Sequence, residues 1–144
     1  MEIRTITKSG LPEALDLVWQ VFQEFEGPDY SQEGVDEFKR YIDGQMIDMT
    51  MTMCGAFENE ELLGVIATRS EGEHISLFFV KKETHGQGIG KRLFEHILPL
   101  CKNGFITVNS SPYAIKIYRK LGFIEIDTEQ VTNGIRYVPM KYTT

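Results

Sequence analysis

The sequence predicts an α/β domain, with a mixed, mostly antiparallel sheet flanked by helices in the order βααβββαβαββ. Three observations carry this. Apolar residues recur at helical spacing in four stretches of the chain. Short alternating or apolar runs, bounded by turn residues, separate those stretches. Three such runs follow one another in mid-chain with only brief turns between them, which favours an antiparallel meander. The 144 residues suit a single domain over 1–144 with a sizeable core.

Each element has its local reason. Glu2 to Ile6 alternates and reads as a first strand. Ser9 is the expected N-cap of a first helix, with Pro12 just inside its start. Leu15, Val18, Trp19, Phe22 and Phe25 mark its apolar face as far as about Glu26, and Gly27-Pro28-Asp29 breaks it. Ser31 caps a second helix bearing Val35, Phe38, Tyr41 and Ile42, expected to end near Gly44. Met51–Phe57, Leu62–Thr68 and His74–Val80 are the three central strands, separated by Glu58–Glu61 and Glu71-Gly72. Ile89, Leu93, Phe94, Ile97 and Leu98 define a third helix, limited by Pro99 or Gly104. Phe105–Val108 is a short buried strand. Pro112 opens a fourth helix with Ala114, Ile117, Tyr118 and Leu121, which Gly122 ends. Phe123–Ile126 and Ile135–Tyr142 close as a hairpin around Thr132-Asn133-Gly134.

Composition narrows the function. No apolar run approaches the ~18 residues of a membrane span, and Met1–Thr5 lacks the basic-then-apolar layout of a signal peptide. Cys54 and Cys101 have no local partner motif and read as free thiols of a reducing compartment, the cytoplasm by default. The three histidines and two cysteines show no metal-ligand spacing, so no metal is expected. Net charge is −6, yet Lys81–Lys120 carries eight Lys/Arg against Glu83 and Glu95, and His96–Ile124 holds no acid at all. That segment favours an anion, while the acidic remainder argues against nucleic-acid binding.

Inside the basic segment lies Val80-Lys81-Lys82-Glu83-Thr84-His85-Gly86-Gln87-Gly88-Ile89-Gly90-Lys91, an apolar strand running into a glycine turn and then a helix. Glycines let backbone approach a ligand closely, and a helix start offers unpaired N–H groups to an anion. A nucleoside-triphosphate loop is excluded, because Gly86 to Gly90 encloses three residues rather than four and Arg92 stands where a Ser or Thr is needed. A dinucleotide turn is excluded too: the spacing is G-x-G-x-G, and the required acid falls in the acid-free stretch.

The remaining pattern, a strand followed by [R/Q]-x-x-G-x-[G/A] and a helix, resembles the GNAT superfamily of acetyl-CoA-dependent N-acetyltransferases. A second segment strengthens the resemblance: Asn109, then Ala114, Tyr118 and Gly122-Phe123 match the family's following strand and helix. The likeness is specific over about Glu73 to Phe123. It implies a GNAT-type fold and acetyl-CoA as co-substrate, with the pyrophosphate held by His85, Gly86, Gln87, Gly88, Ile89, Gly90 and Lys91. His85 departs from the usual Arg or Gln. The main chain of Phe78, Phe79 and Val80 and the side chain of Asn109 are implied to meet the pantetheine arm where two strands splay apart. Lys116, Arg119 and Lys120 are further phosphate candidates, with a solvated helix face as the alternative.

Direct transfer from acetyl-CoA to an amine in a ternary complex needs a neutral amine and a proton for the departing thiolate. Tyr118 is the candidate acid, since a phenol near pKa ~10 stays protonated at neutral pH, and the resemblance implies the same role. His74 is the candidate base, suited by an ordinary pKa near ~6.5, with a water chain or Glu73 as alternatives. Cys101 reads as packing rather than as a nucleophile. Acceptor specificity in the family implies the first two helices and their loops, here Glu26, Asp29 and Tyr30. Carboxylates beside aromatic residues suit a small cationic amine or a peptide amine. The rival is a CoA-binding regulatory module without catalysis. The expected assembly is a monomer or homodimer.

Overall fold

The computed structural model covers residues 1–144. Its elements are β1 (Glu2–Thr5), α1 (Leu11–Phe25), α2 (Gln32–Ile47), β2 (Thr52–Glu58), β3 (Glu61–Arg69), β4 (His74–Val80), α3 (Ile89–Ile97), β5 (Phe105–Ser110), α4 (Ile115–Leu121), β6 (Ile124–Glu125), β7 (Gln130–Thr132) and β8 (Ile135–Thr143). The sheet runs β1-β2-β3-β4-β5-β8-β6, with β7 also paired to β8. Every pairing is antiparallel except β4 with β5. The expected class is thus found, with one difference in its last part. The hairpin strand facing β8 is interrupted. Ile126 N–H still donates to the Pro139 carbonyl, but the next pair is Gln130 with Tyr137. Four residues advance on one side against two on the other. The excess bulges at Asp127, whose carboxylate takes the Thr128 N–H and the Gln130 side-chain amide.

Two cores sandwich the sheet. Strand alternation sends Val65 and Ala67 of β3 towards α1 and Ile66 towards α3. On the first face, Phe22 is fully buried and stacks on Phe38 at 4.0 Å, tying α1 to α2. Burying one such ring stabilises the fold by about 1.5–3 kcal/mol. On the second face, Leu93 and Phe94 of α3 meet Ile106, Phe123 and Tyr118.

Helix ends follow local chemistry with two departures. Ser31 caps α2 by accepting the Gly34 N–H at 3.2 Å, as its position predicts. Ser9 does not cap α1; it sits in a 3-10 turn over Lys8–Gly10 with its hydroxyl against that of Thr7, and Gly10 is the N-cap. Helix α2 continues past Gly44 to Ile47. Gly34 packs on the Gly134 carbonyl so closely that no Cβ fits between them, which seats the β7–β8 turn on the start of α2. No helix is long and apolar enough to cross a membrane.

Candidate active site

The parallel strands β4 and β5 pair only at His74–Thr107 and Ile75–Val108. Beyond that point β5 stays with β8 as far as Ser110, and the edge of β4 from Ser76 to Val80 is left without a neighbour on that side. Two cavities, of about 490 Å³ and about 260 Å³, open over this gap. They share five residues: Glu26, Phe78, Phe79, Ala114 and Tyr118.

The larger cavity is bordered by the glycine turn. Gly86 and Gly88 have φ of +84° and +79°, and a Cβ on either would meet nothing within 4 Å. Backbone conformation demands glycine here, and the space beside it is open. Gly88 is the N-cap of helix α3 and offers no side-chain cap; the first intrahelical bond is Arg92 N–H to the Gly88 carbonyl. The N–H groups of the first turn are therefore free for a ligand. That turn carries Lys91 and no acid, a poor match to the helix dipole unless an anion binds there. The cradle fits a phosphate-bearing ligand with an apolar arm, since Phe25, Val80, Ile117 and Leu121 complete its walls. His85 spends a ring nitrogen on the Val80 carbonyl at 2.8 Å and packs on Phe25. Its ring braces the turn against the end of β4. Lys120 lines the cavity, whereas Arg119 pairs with Glu125 through Nε at 2.9 Å.

Tyr118 stands at the junction. Its N–H bonds the Ala114 carbonyl at 3.0 Å, so the expected i, i+4 relation of Ala114 and Tyr118 is present although Ala114 is the N-cap of α4. The ring is buried edge-on against Phe78 and Phe123. Burial, then the charges of Glu26 and Tyr30, hold its phenol above the usual range. Glu26 follows the last residue of α1 and is half-buried. Burial pushes its carboxyl up to about 7; a Ser111 hydrogen bond opposes this, and Asp29 adds to it.

The smaller cavity gathers side chains from distant segments. His74 Nδ1 is hydrogen-bonded to the Thr107 hydroxyl at 2.8 Å, and that hydroxyl also reaches the Glu73 carbonyl at 3.3 Å. Burial, and then Arg69, pull the imidazole down to about 4, so it is neutral at pH 7 and holds a proton weakly. Ser76 also lines this cavity, and its buried hydroxyl has no hydrogen-bond partner. Tyr30, Tyr41, Arg69 and Asn109 complete the polar wall.

Of the residues singled out in the sequence, Val80, His85, Gly86, Gly88, Ile89, Gly90 and Lys91 line the larger cavity. Phe78, Phe79, Tyr118 and Glu26 line both, and Tyr30, His74 and Asn109 line the smaller. Gln87 and Asp29 line neither; the Gln87 N–H closes the turn on Thr84, and the Asp29 carbonyl accepts from Arg136. Asn109 thus faces the smaller space rather than the glycine turn. Ser76, Tyr41, Arg69, Ser111 and Tyr113 were not anticipated. Ser76 alone carried a signal, as a polar residue two positions from His74 on an apolar strand. Cys101 bonds the Phe105 carbonyl and lines neither cavity. No group of three or more His, Cys, Asp or Glu is arranged to hold a metal ion.

The site is thus a sheet prised open beside an uncapped helix start, with a buried phenol at the inner end of the cleft. The acetyltransferase (GNAT) domain model matches residues 26–144, and the chain belongs to that family. A peptidyl-lysine N-acetyltransferase, YjaB of Salmonella typhimurium, is 42% identical over 53 residues. That match takes in 36% of this chain and 37% of the relative, so it spans little more than a third of the curated protein. Among solved structures, a GCN5-related N-acetyltransferase from Rhodopseudomonas palustris aligns with a TM-score of 0.81 at 15% identity, over 99% of this chain and 95% of that one. PaiA N-acetyltransferase of Thermoplasma acidophilum, solved in complex with coenzyme A, aligns at 0.75 and 19% identity over 99% and 98%. At these identities the two structures show the fold alone.

Proposed function

We propose that this protein transfers the acetyl group of acetyl-CoA directly to a primary amine while both are held together. One observation carries the reading: the wide cavity over the glycine turn and the narrower polar one meet at Tyr118. The backbone from Gly86 to Lys91, with Lys91 and Lys120, would hold the phosphates. The unpaired edge of β4 at Phe78–Val80 would hold the pantetheine arm. Acetyl-CoA supplies the activated thioester. Tyr118, kept protonated by its surroundings, donates to the departing sulfur. Neutral His74 orients the acceptor through its remaining ring nitrogen. Its depressed pKa makes it a weak proton acceptor.

The acceptor is a small cationic amine or a peptide amine. The Glu26 carboxylate in the narrower cavity, beside Tyr30, Phe38 and Tyr41, supports this, as does the peptidyl-lysine specificity in the Salmonella relative's name. The test is a panel of lysine peptides, peptide N-termini, polyamines, aminoglycosides and amino acids, incubated with acetyl-CoA and read by mass spectrometry. An acetylated amine is the expected result. Tight coenzyme A binding with no product from any amine would contradict the proposal.

A further inference from the structure

Glu26 is the sole acid lining either cavity, and it lines both. It follows the C-terminal turn of α1, where the helix dipole opposes a negative charge. None of the ion pairs in the structure includes it. It lies near enough to the Ser111 hydroxyl to be drawn down by it, and to Tyr30, Tyr113 and Tyr118 to raise all three phenols. An unpaired carboxylate in such a place weakens the fold, and the fold keeps it where two substrates would meet.

We propose that Glu26 takes the proton from the acceptor's ammonium, so that α1 supplies the base of the reaction and β4 does not. This rests on the acetyltransferase reading. An ammonium N–H bond breaks and its proton goes to a Glu26 oxygen. The freed lone pair forms the C–N bond at the thioester carbonyl carbon. As the C–S bond breaks with its electron pair on sulfur, Tyr118 gives sulfur its phenolic proton and recovers one from the nitrogen. The single net proton leaves to solvent from Glu26.

The environment suits that task. A carboxyl poised at about 7 both receives and releases a proton near neutrality. Burial, and then Asp29, push it up, and no lysine or arginine contributes to its shift. The tyrosines beside it stay neutral, with phenols above their ordinary range. Arg69 and His74 share the narrower cavity with it, and His85, Lys91 and Lys120 share the wider one. His74 is held too low to compete for the proton.

The experiment compares wild type, Glu26→Gln and His74→Gln on the amine turned over fastest in the panel, across pH. Wild type should show kcat/KM rising with an apparent pKa near 7. In Glu26→Gln that limb should move to the amine's own pKa, with turnover at pH 7 down about 10²-fold and coenzyme A affinity by calorimetry unchanged. His74→Gln should keep the limb. Retention of the limb in Glu26→Gln, or its loss in His74→Gln, would overturn the inference while leaving the acetyltransferase reading intact. A wild type silent on every amine overturns that reading itself. Should Glu26→Gln not fold, the carboxyl ¹³C resonance of Glu26 in wild type decides: titration near 7 supports the proposal, and titration at the ordinary 4.5 overturns it.

Discussion

The two cavities that meet at Tyr118 are built in different ways. The wider one has a backbone rim within Phe78–Lys91, made of two left-handed glycines, an uncapped helix start and an unpaired strand edge, and apolar walls from α1 and α4. The narrower one draws its side chains from separate segments: Glu26 and Tyr30 after α1, then α2, β3, β4, β5, α4 and β8. A backbone cradle recognises phosphate and amide groups, which are the same in every acyl-CoA. A wall of separate side chains changes with each substitution. Under the proposed function, the difference separates cofactor binding from acceptor choice, and variants on each side should fail differently.

The largest effect falls where the halves join. Tyr118→Phe keeps the ring packed on Phe78 and Phe123 but removes the proton. Turnover should drop by about 10²-fold or more, with KM for acetyl-CoA nearly unchanged in steady-state kinetics. An equal rise in KM would make Tyr118 a part of the cradle.

On the cofactor side, Gly88→Ala forces a Cβ into a left-handed position that costs about 1–2 kcal/mol. Coenzyme A affinity should fall about tenfold by calorimetry, with Tm lowered. Unchanged affinity would show that the turn does not need its left-handed residue.

The acceptor side gives the smallest signal, in stability against pH. His74 is depressed, so the unfolded chain gains a proton as pH falls below 6.5 while the folded one waits until about 4; stability is lost across that window as pH falls. Glu26 is raised, so the unfolded chain releases its proton near 4.5 and the folded one near 7; stability is lost there as pH rises. In urea titrations His74→Gln should gain on wild type towards pH 4, and Glu26→Gln should gain towards pH 7. Parallel curves for all three proteins would remove both shifts.

The same contrast explains what was legible in the sequence. The glycine turn, Ser31, Gly122 and the central meander are written in neighbouring residues, and they appear where the spacing puts them. Tyr118 was legible for the same reason, through its spacing from Ala114. Glu26 was visible as an acid near aromatics, but its approach to Ser111 depends on α1 reaching the far end of β5. Arg69 carries no local mark, since an arginine at a strand end is ordinary until the neighbouring strand departs, and Ser76 is marked only by its two-residue spacing from His74 on an apolar strand. The Asp127 bulge was missed because the Asn133-Gly134 turn hid two extra residues in what read as one hairpin arm.

Amide chemical shifts measured on adding coenzyme A, then an amine, test the division most directly. Coenzyme A should move Val80, Gly86, Gly88, Ile89, Gly90 and Lys91. The amine should then move Tyr30, Tyr41, Ser76 and Asn109, with the two sets overlapping at Glu26, Phe78, Phe79, Ala114 and Tyr118. Coenzyme A shifting the second set while leaving the glycine turn unmoved would contradict the account.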